Sequence, residues 1–118
     1  MKYSILIYDT PETLAQFQSP EGAAYMAGWQ AYRKTLLDAG VYVAGAGLMP
    51  ADTATTMRFN GDERLVQDGP FADTKEQLGG FYIVDVPDLD AALEWAARTP
   101  RMQGQAFEVR PNVVMPAK

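Results

Sequence analysis

The sequence predicts an α+β domain of ferredoxin-like type with a β-hairpin inserted in its middle, and three observations carry that expectation. Strand-like segments fall near 2–8, 41–44, 53–59, 63–67, 81–86 and 107–110, and helix-like periodicity falls near 20–39 and 88–98. The dipeptide Asn60-Gly61, in which both residues tolerate positive φ, marks a hairpin between the third and fourth strands. The resulting order, β-α-β-(ββ)-β-α-β, is a split βαβ unit repeated around that hairpin, with both helices on one face of an antiparallel sheet. A single domain spanning 1–118 fits the length.

The segment Lys2 to Tyr8 alternates Tyr3, Ile5 and Ile7 against Ser4, Leu6 and Tyr8. Both faces are largely apolar, as in a strand covered on two sides. Thr10-Pro11-Glu12 can start a helical turn, and Ser19-Pro20-Glu21 repeats the start signal with a capping serine and a proline in the first turn. The helix then runs to about Ala39 and stops at Gly40. Along it Tyr25, Trp29, Tyr32 and Leu36 form one stripe, which reads either as a face packed on the sheet or as the aromatic wall of a ligand pocket. Gly28 inside this helix allows close approach of a neighbour.

A short strand, Val41 to Ala44, releases into a Gly- and Pro-rich loop, GAGLMPAD. The hairpin pairs Thr55–Phe59 with Glu63–Gln67 and delivers the chain to Asp68-Gly69-Pro70-Phe71, a turn by chemistry alone. Gly79-Gly80 precedes the strand Phe81 to Val86. Asp88 caps a helix whose apolar stripe is Leu89, Ala92, Leu93 and Ala96, ended by Thr99-Pro100. Phe107 to Arg110 is the last strand.

Composition excludes several chemistries. There are no cysteines and no histidines, so disulfides, thiolate nucleophiles, the usual Cys/His zinc sites and a histidine base are absent. Ten Lys and Arg stand against fifteen Asp and Glu, a net charge of −5 that argues against binding a nucleic-acid backbone. The opening residues turn polar too soon for a signal peptide, and no apolar run reaches membrane-spanning length, so the expectation is a cytoplasmic protein without membrane or cofactor.

The motifs Asp68-Gly69-Pro70-Phe71, Lys75-Glu76, Gly79-Gly80-Phe81, the DLDAALEWAAR helix and the terminal Phe107-Glu108-Val109-Arg110-Pro111 occur in register, and together they closely resemble the DGPF proteins, a branch of the YCII-related family. The resemblance covers nearly the whole chain. It implies a dimeric α+β barrel of ferredoxin-like subunits and no settled activity. Other YCII-like proteins carry a His-Asp pair proposed as catalytic, and a few relatives are lyases or dehydrochlorinases of aromatic substrates. This chain has no histidine with which to repeat that pair. DGPF proteins are also frequently encoded beside alternative sigma factors, which implies a regulatory setting.

Turns at strand ends position chemistry on a rigid scaffold. A pocket is therefore expected near Asp68, Phe71, Lys75 and Arg110, with Tyr8, Asp9, Trp29 or Met49 lining it. Asp68, Asp73 and Lys75 are the candidates for catalysis, a carboxylate acting as base while Lys75 holds an anionic group; the alternative is a turn with a solvated charged loop. No metal-loop spacing is recognisable. Gly45-Ala46-Gly47 lacks the spacing and the lysine of a phosphate loop. Two function classes stay open: a small-molecule-binding, regulatory homodimer, and a lyase, isomerase or dehydrochlorinase-like enzyme acting on a small aromatic or lactone-like compound. The homodimer follows from the two-faced strands, because two helices on one side cover only one face of the sheet.

Overall fold

The computed structural model describes residues 1–72 and 74–116. Asp73, one of the three candidates for catalysis, lies outside the described residues. The elements are β1 (Lys2–Asp9), α1 (Pro11–Phe17), α2 (Gly22–Asp38), β2 (Tyr42–Gly47), β3 (Thr55–Asn60), β4 (Glu63–Asp68), β5 (Gln77–Asp85), α3 (Leu89–Ala97) and β6 (Ala106–Pro111), with a 3-10 turn at Ala51–Thr53. Four strands form one antiparallel sheet in the order β2-β5-β1-β6, and β3 with β4 forms a separate two-stranded sheet. This is the ferredoxin-like α+β order with the hairpin inserted between β2 and β5.

The core lies between the sheet and the helices. Tyr3 and Ile5 of β1, Val84 of β5, Tyr32 and Leu36 of α2, and Ala92 and Ala96 of α3 belong to one buried cluster. Ile5, Leu36 and Val84 are wholly buried. Residues of both helices meet the same alternate positions of β1 and β5, so α2 and α3 share one face. The Tyr32 hydroxyl donates to the Trp95 carbonyl at 2.8 Å, tying α2 to α3. Gly28 does admit a neighbour, since a Cβ there would stand 3.3 Å from the Pro100 ring.

Several boundaries differ from the expectation. The first crossover holds two helices, because Thr10 nucleates a real one. Its hydroxyl accepts from the Thr13 amide while Thr13 accepts from the Thr10 amide, a reciprocal cap around Pro11 at the first turn. Ser19 does not cap the second helix. Its hydroxyl accepts from the Glu21 amide within the turn joining α1 to α2, and α2 begins at Gly22 without a side-chain cap. Strand β2 runs on through Gly45-Ala46-Gly47, taking residues assigned to the loop. It does so because β5 starts early, at Gln77, and offers a longer edge that includes Gly79-Gly80. Gly40 ends α2 as expected, at φ 73°.

The hairpin pairs Met57 with Val66 and Asn60 with Glu63, with Gly61 at φ 62° in the tip. Its base is closed by the DGPF segment. The Gly69 amide donates to the Ala54 carbonyl at 2.7 Å, and the Thr56 hydroxyl donates to the Gly69 carbonyl at 2.7 Å. Gly69 sits at φ 104°, a conformation that favours glycine. Phe71 lies under the Arg58 guanidinium, 4.6 Å from its ring centre.

Candidate functional site

A cavity of about 570 Å³ opens beside the β2–β5 end of the sheet, bounded by α1, α2, the 48–51 loop and the segment leading into β5. Its size is in the ordinary range for a small-molecule site. Two local features of the sequence create it. The first is a bulge. β1 pairs Ile7 with Gly80 and then Tyr8 with Leu78, so Gly79 is an extra residue on β5. At the bulge Asp9, the last residue of β1, turns its carboxylate across Gly79, and a Cβ on Gly79 would collide with the Asp9 Oδ2 atom. The second feature is the short α1, which with α2 forms the outer wall.

The wall of the cavity is aromatic. Trp29 stacks on Tyr82 with ring centres 5.3 Å apart and planes 9° from parallel, and Tyr25 meets Trp29 edge-on at 6.0 Å. Phe17 closes the row edge-on against Tyr25 at 6.1 Å. The polar groups are few. Two of them are tied together by Gln105, which is outside the lining and donates through Nε2 to Asp9 Oδ1 at 2.9 Å and to the Tyr25 hydroxyl oxygen at 2.6 Å. Gln105 is itself fixed, because its Oε1 accepts from the Met102 amide at 2.8 Å. The loop carrying it is held to α1 by Thr13, whose hydroxyl donates to the Gln103 carbonyl at 2.8 Å. Burial pushes the Tyr25 phenol above its ordinary value, the Asp9 charge reinforces that, and hydrogen bonding from Gln105 and Trp29 opposes it.

Two cations line the same cavity, Lys75 and Arg33. Gln77 staples the loop that carries Lys75 onto the sheet, donating to the Ala72 and Thr74 carbonyls at 2.6 and 2.9 Å. Gln77 pairs with Asp9 across the β1–β5 ladder, and Lys75 lies two residues upstream of it. Arg33 stands on α2 against the Tyr42 ring at 5.1 Å.

Of the residues expected around a pocket, the structure brings together Asp9, Trp29, Met49 and Lys75. The cavity lining does not include Asp68, Phe71, Tyr8 or Arg110. Asp68 ends β4 and Phe71 stacks on Arg58, both at the hairpin. Tyr8 lies on the sheet face away from the helices and donates to Glu108 of β6 at 3.1 Å. Arg110 shares that outer face, paired with Ser4. The shift has a physical cause: the Asp68 turn closes the hairpin, and the hairpin stands apart from the four-stranded sheet. Three polar contributors were missed. Gln105 and Arg33 carry no pattern that singles them out, whereas Tyr25 was visible as the first member of the aromatic stripe. That stripe divides, with Tyr25 and Trp29 walling the cavity and Tyr32 and Leu36 packing into the core.

Among the described residues, no group of three or more His, Cys, Asp or Glu side chains gathers as a metal site. No helix among them is long and apolar enough to cross a membrane.

Fold and cavity together define a small ferredoxin-like α+β protein with an aromatic-walled pocket at one end of its sheet. The YCII-related domain matches residues 1–116. An uncharacterised protein of Rhizobium meliloti (strain 1021) is 35% identical over 113 residues, covering 94% of this chain and 91% of that protein. The chain belongs to the YCII-related family.

Proposed function

We propose that this protein is a small-molecule-binding homodimer of the DGPF branch whose pocket takes a flat aromatic compound bearing a carboxylate. The observation that carries the reading is the lining of the cavity: an aromatic wall built on Trp29 and Tyr25, with Lys75 and Arg33 as its cations. Aromatic rings gain from edge and face contacts with such a wall, and a cation in a largely apolar recess selects an anion. The DGPF assignment rests on Asp68-Gly69-Pro70-Phe71 and the motifs in register after it. A regulatory role beside an alternative sigma factor is the setting this branch suggests, with the pocket as sensor.

The homodimer is supported by the faces left without cover. Leu6, Phe81 and Ile83 lie on the sheet face away from the helices and stay partly exposed. The hairpin presents Met57, Phe59 and Val66 on one side, with Phe59 65% exposed. An isolated two-stranded hairpin is marginal in water, and a second copy is the closed solution for one chain.

Calorimetric titration with phenylacetate and with phenylacetamide tests the ligand class. The acid is expected to bind at least about tenfold more tightly than the amide, with Lys75→Ala removing most of that difference. Equal affinity for acid and amide would overturn the reading.

A further inference from the structure

We propose that Asp9 and Tyr25 form a proton-transfer pair, acting on a carbon next to a carbonyl in an aromatic acid bound in the pocket. This step rests on the ligand class proposed above. Gln105 Nε2 touches Asp9 Oδ1 at 2.9 Å and the Tyr25 oxygen at 2.6 Å, so one amide group holds both side chains at the same end of the cavity. The bridge engages Asp9 through one oxygen only. Among the described residues Oδ2 has no hydrogen-bond partner, and it lies beside Gly79, where the bulge supplies no side chain to cover it. The bridge also meets the Tyr25 oxygen as an acceptor, which leaves the phenolic hydrogen to be donated elsewhere. The end of the pocket thus holds a free carboxylate oxygen and a free hydroxyl hydrogen, joined by a fixed amide, and Lys75 in the lining of the same cavity supplies the cation to seat a carboxylate.

These groups match the needs of enolisation. The C–H bond next to the carbonyl breaks and its proton goes to Asp9 Oδ2. The electron pair of that bond becomes the new C=C bond, and the carbonyl π pair moves onto oxygen, where the developing charge accepts a hydrogen bond from Tyr25. Return of the proton from Asp9 to the same carbon restores the keto acid, and its return to a conjugated carbon gives an isomer. No oxidant, reductant or further reactant is consumed. A phenol carries its hydrogen at neutral pH, and burial of Tyr25 shifts it further in that direction.

The probe is phenylpyruvate, which combines the aromatic ring, the carboxylate and an enolisable carbon. Deuterium entry at its benzylic carbon in heavy water is followed by proton NMR, with binding measured separately by calorimetry. The wild-type protein is expected to accelerate exchange over buffer. Asp9→Asn is expected to lose about 100-fold or more of that acceleration, and Tyr25→Phe about 10-fold, with phenylpyruvate affinity changed by less than about threefold in both. Circular dichroism of each variant confirms the fold, and Asp9→Glu, which keeps the carboxylate, is expected to recover part of the rate if Asn disturbs packing. Binding of phenylpyruvate without faster exchange would overturn the proton-transfer step and leave the ligand class standing. Absence of binding would overturn the ligand class and the step with it.

Discussion

The two ends of the same sheet, built from the same strands and the same helix, behave differently. At the closed end Tyr32 and Leu36 of α2 pack with Tyr3, Ile5 and Val84 in one buried cluster. At the other end Tyr25 and Trp29, two turns and one turn earlier on the same stripe, line a cavity. The difference lies in the strands beneath. Opposite Tyr32 and Leu36 the sheet offers Ile5 and Val84, both wholly buried. Opposite Trp29 it offers the Tyr82 ring, on which Trp29 stacks, and past Tyr82 the Gly79-Gly80 bulge, which supplies no side chain to fill the space. One stripe thus does two things, and glycine in the sheet decides which.

The largest effect that sharpens this contrast is at the closed end. Leu36→Ala is expected to lower unfolding free energy by about 2–5 kcal/mol in urea titration, through lost burial and a cavity with no means of collapse. A loss no larger than that of Trp29→Ala would break the distinction between the two ends. Next comes the bulge. Gly79→Ala places a methyl group against the Asp9 carboxylate. It is expected to cost about 1–3 kcal/mol and to displace Asp9, read as loss of phenylacetate affinity in a protein that still folds. Unchanged affinity would show that the bulge does not border the bound ligand.

The smallest effect is pH-dependent. Burial holds the Tyr32 phenol well above its ordinary value of 10.0, with Tyr82 adding to the effect and Arg98 opposing it. The folded state therefore keeps a proton that the unfolded chain loses. Stability from this group is fully present below about pH 10 and falls as pH rises through and beyond that value. Tyr32→Phe is expected to flatten that alkaline decline while costing about 1 kcal/mol at neutral pH, from the lost hydrogen bond to the Trp95 carbonyl, which keeps only the Arg98 amide as donor. An alkaline slope identical to wild type would place the titration elsewhere.

Much of this architecture was legible in the residues. Period-two alternation in β1, the Asn60-Gly61 turn and the Asp88 cap each act locally, so strand, hairpin and helix follow from nearest neighbours. The cavity was legible only in part. Asp9 and Lys75 were recognisable as chemistry near strand ends, and the aromatic stripe showed Trp29 as part of a wall. The DGPF turn drew attention to the hairpin instead, because a turn motif looks the same whether it closes a hairpin or presents a ligand. Gln105 was invisible, since it joins Asp9 and Tyr25 across 96 and 80 residues of chain. The bulge was seen as a glycine pair outside the strand, and only strand pairing shows that Gly79 lies within it.

The most direct measurement uses Trp29 itself. The chain has two tryptophans, and Trp95 lies outside the cavity with Arg98 over its ring at 4.6 Å. In a Trp95→Phe variant Trp29 is the sole indole reporter, and titration with phenylacetate is expected to change its emission saturably, with the change abolished by Gly79→Ala. A Trp29 signal that stays flat while calorimetry shows phenylacetate bound would place the ligand elsewhere on the protein and contradict the assignment of this cavity.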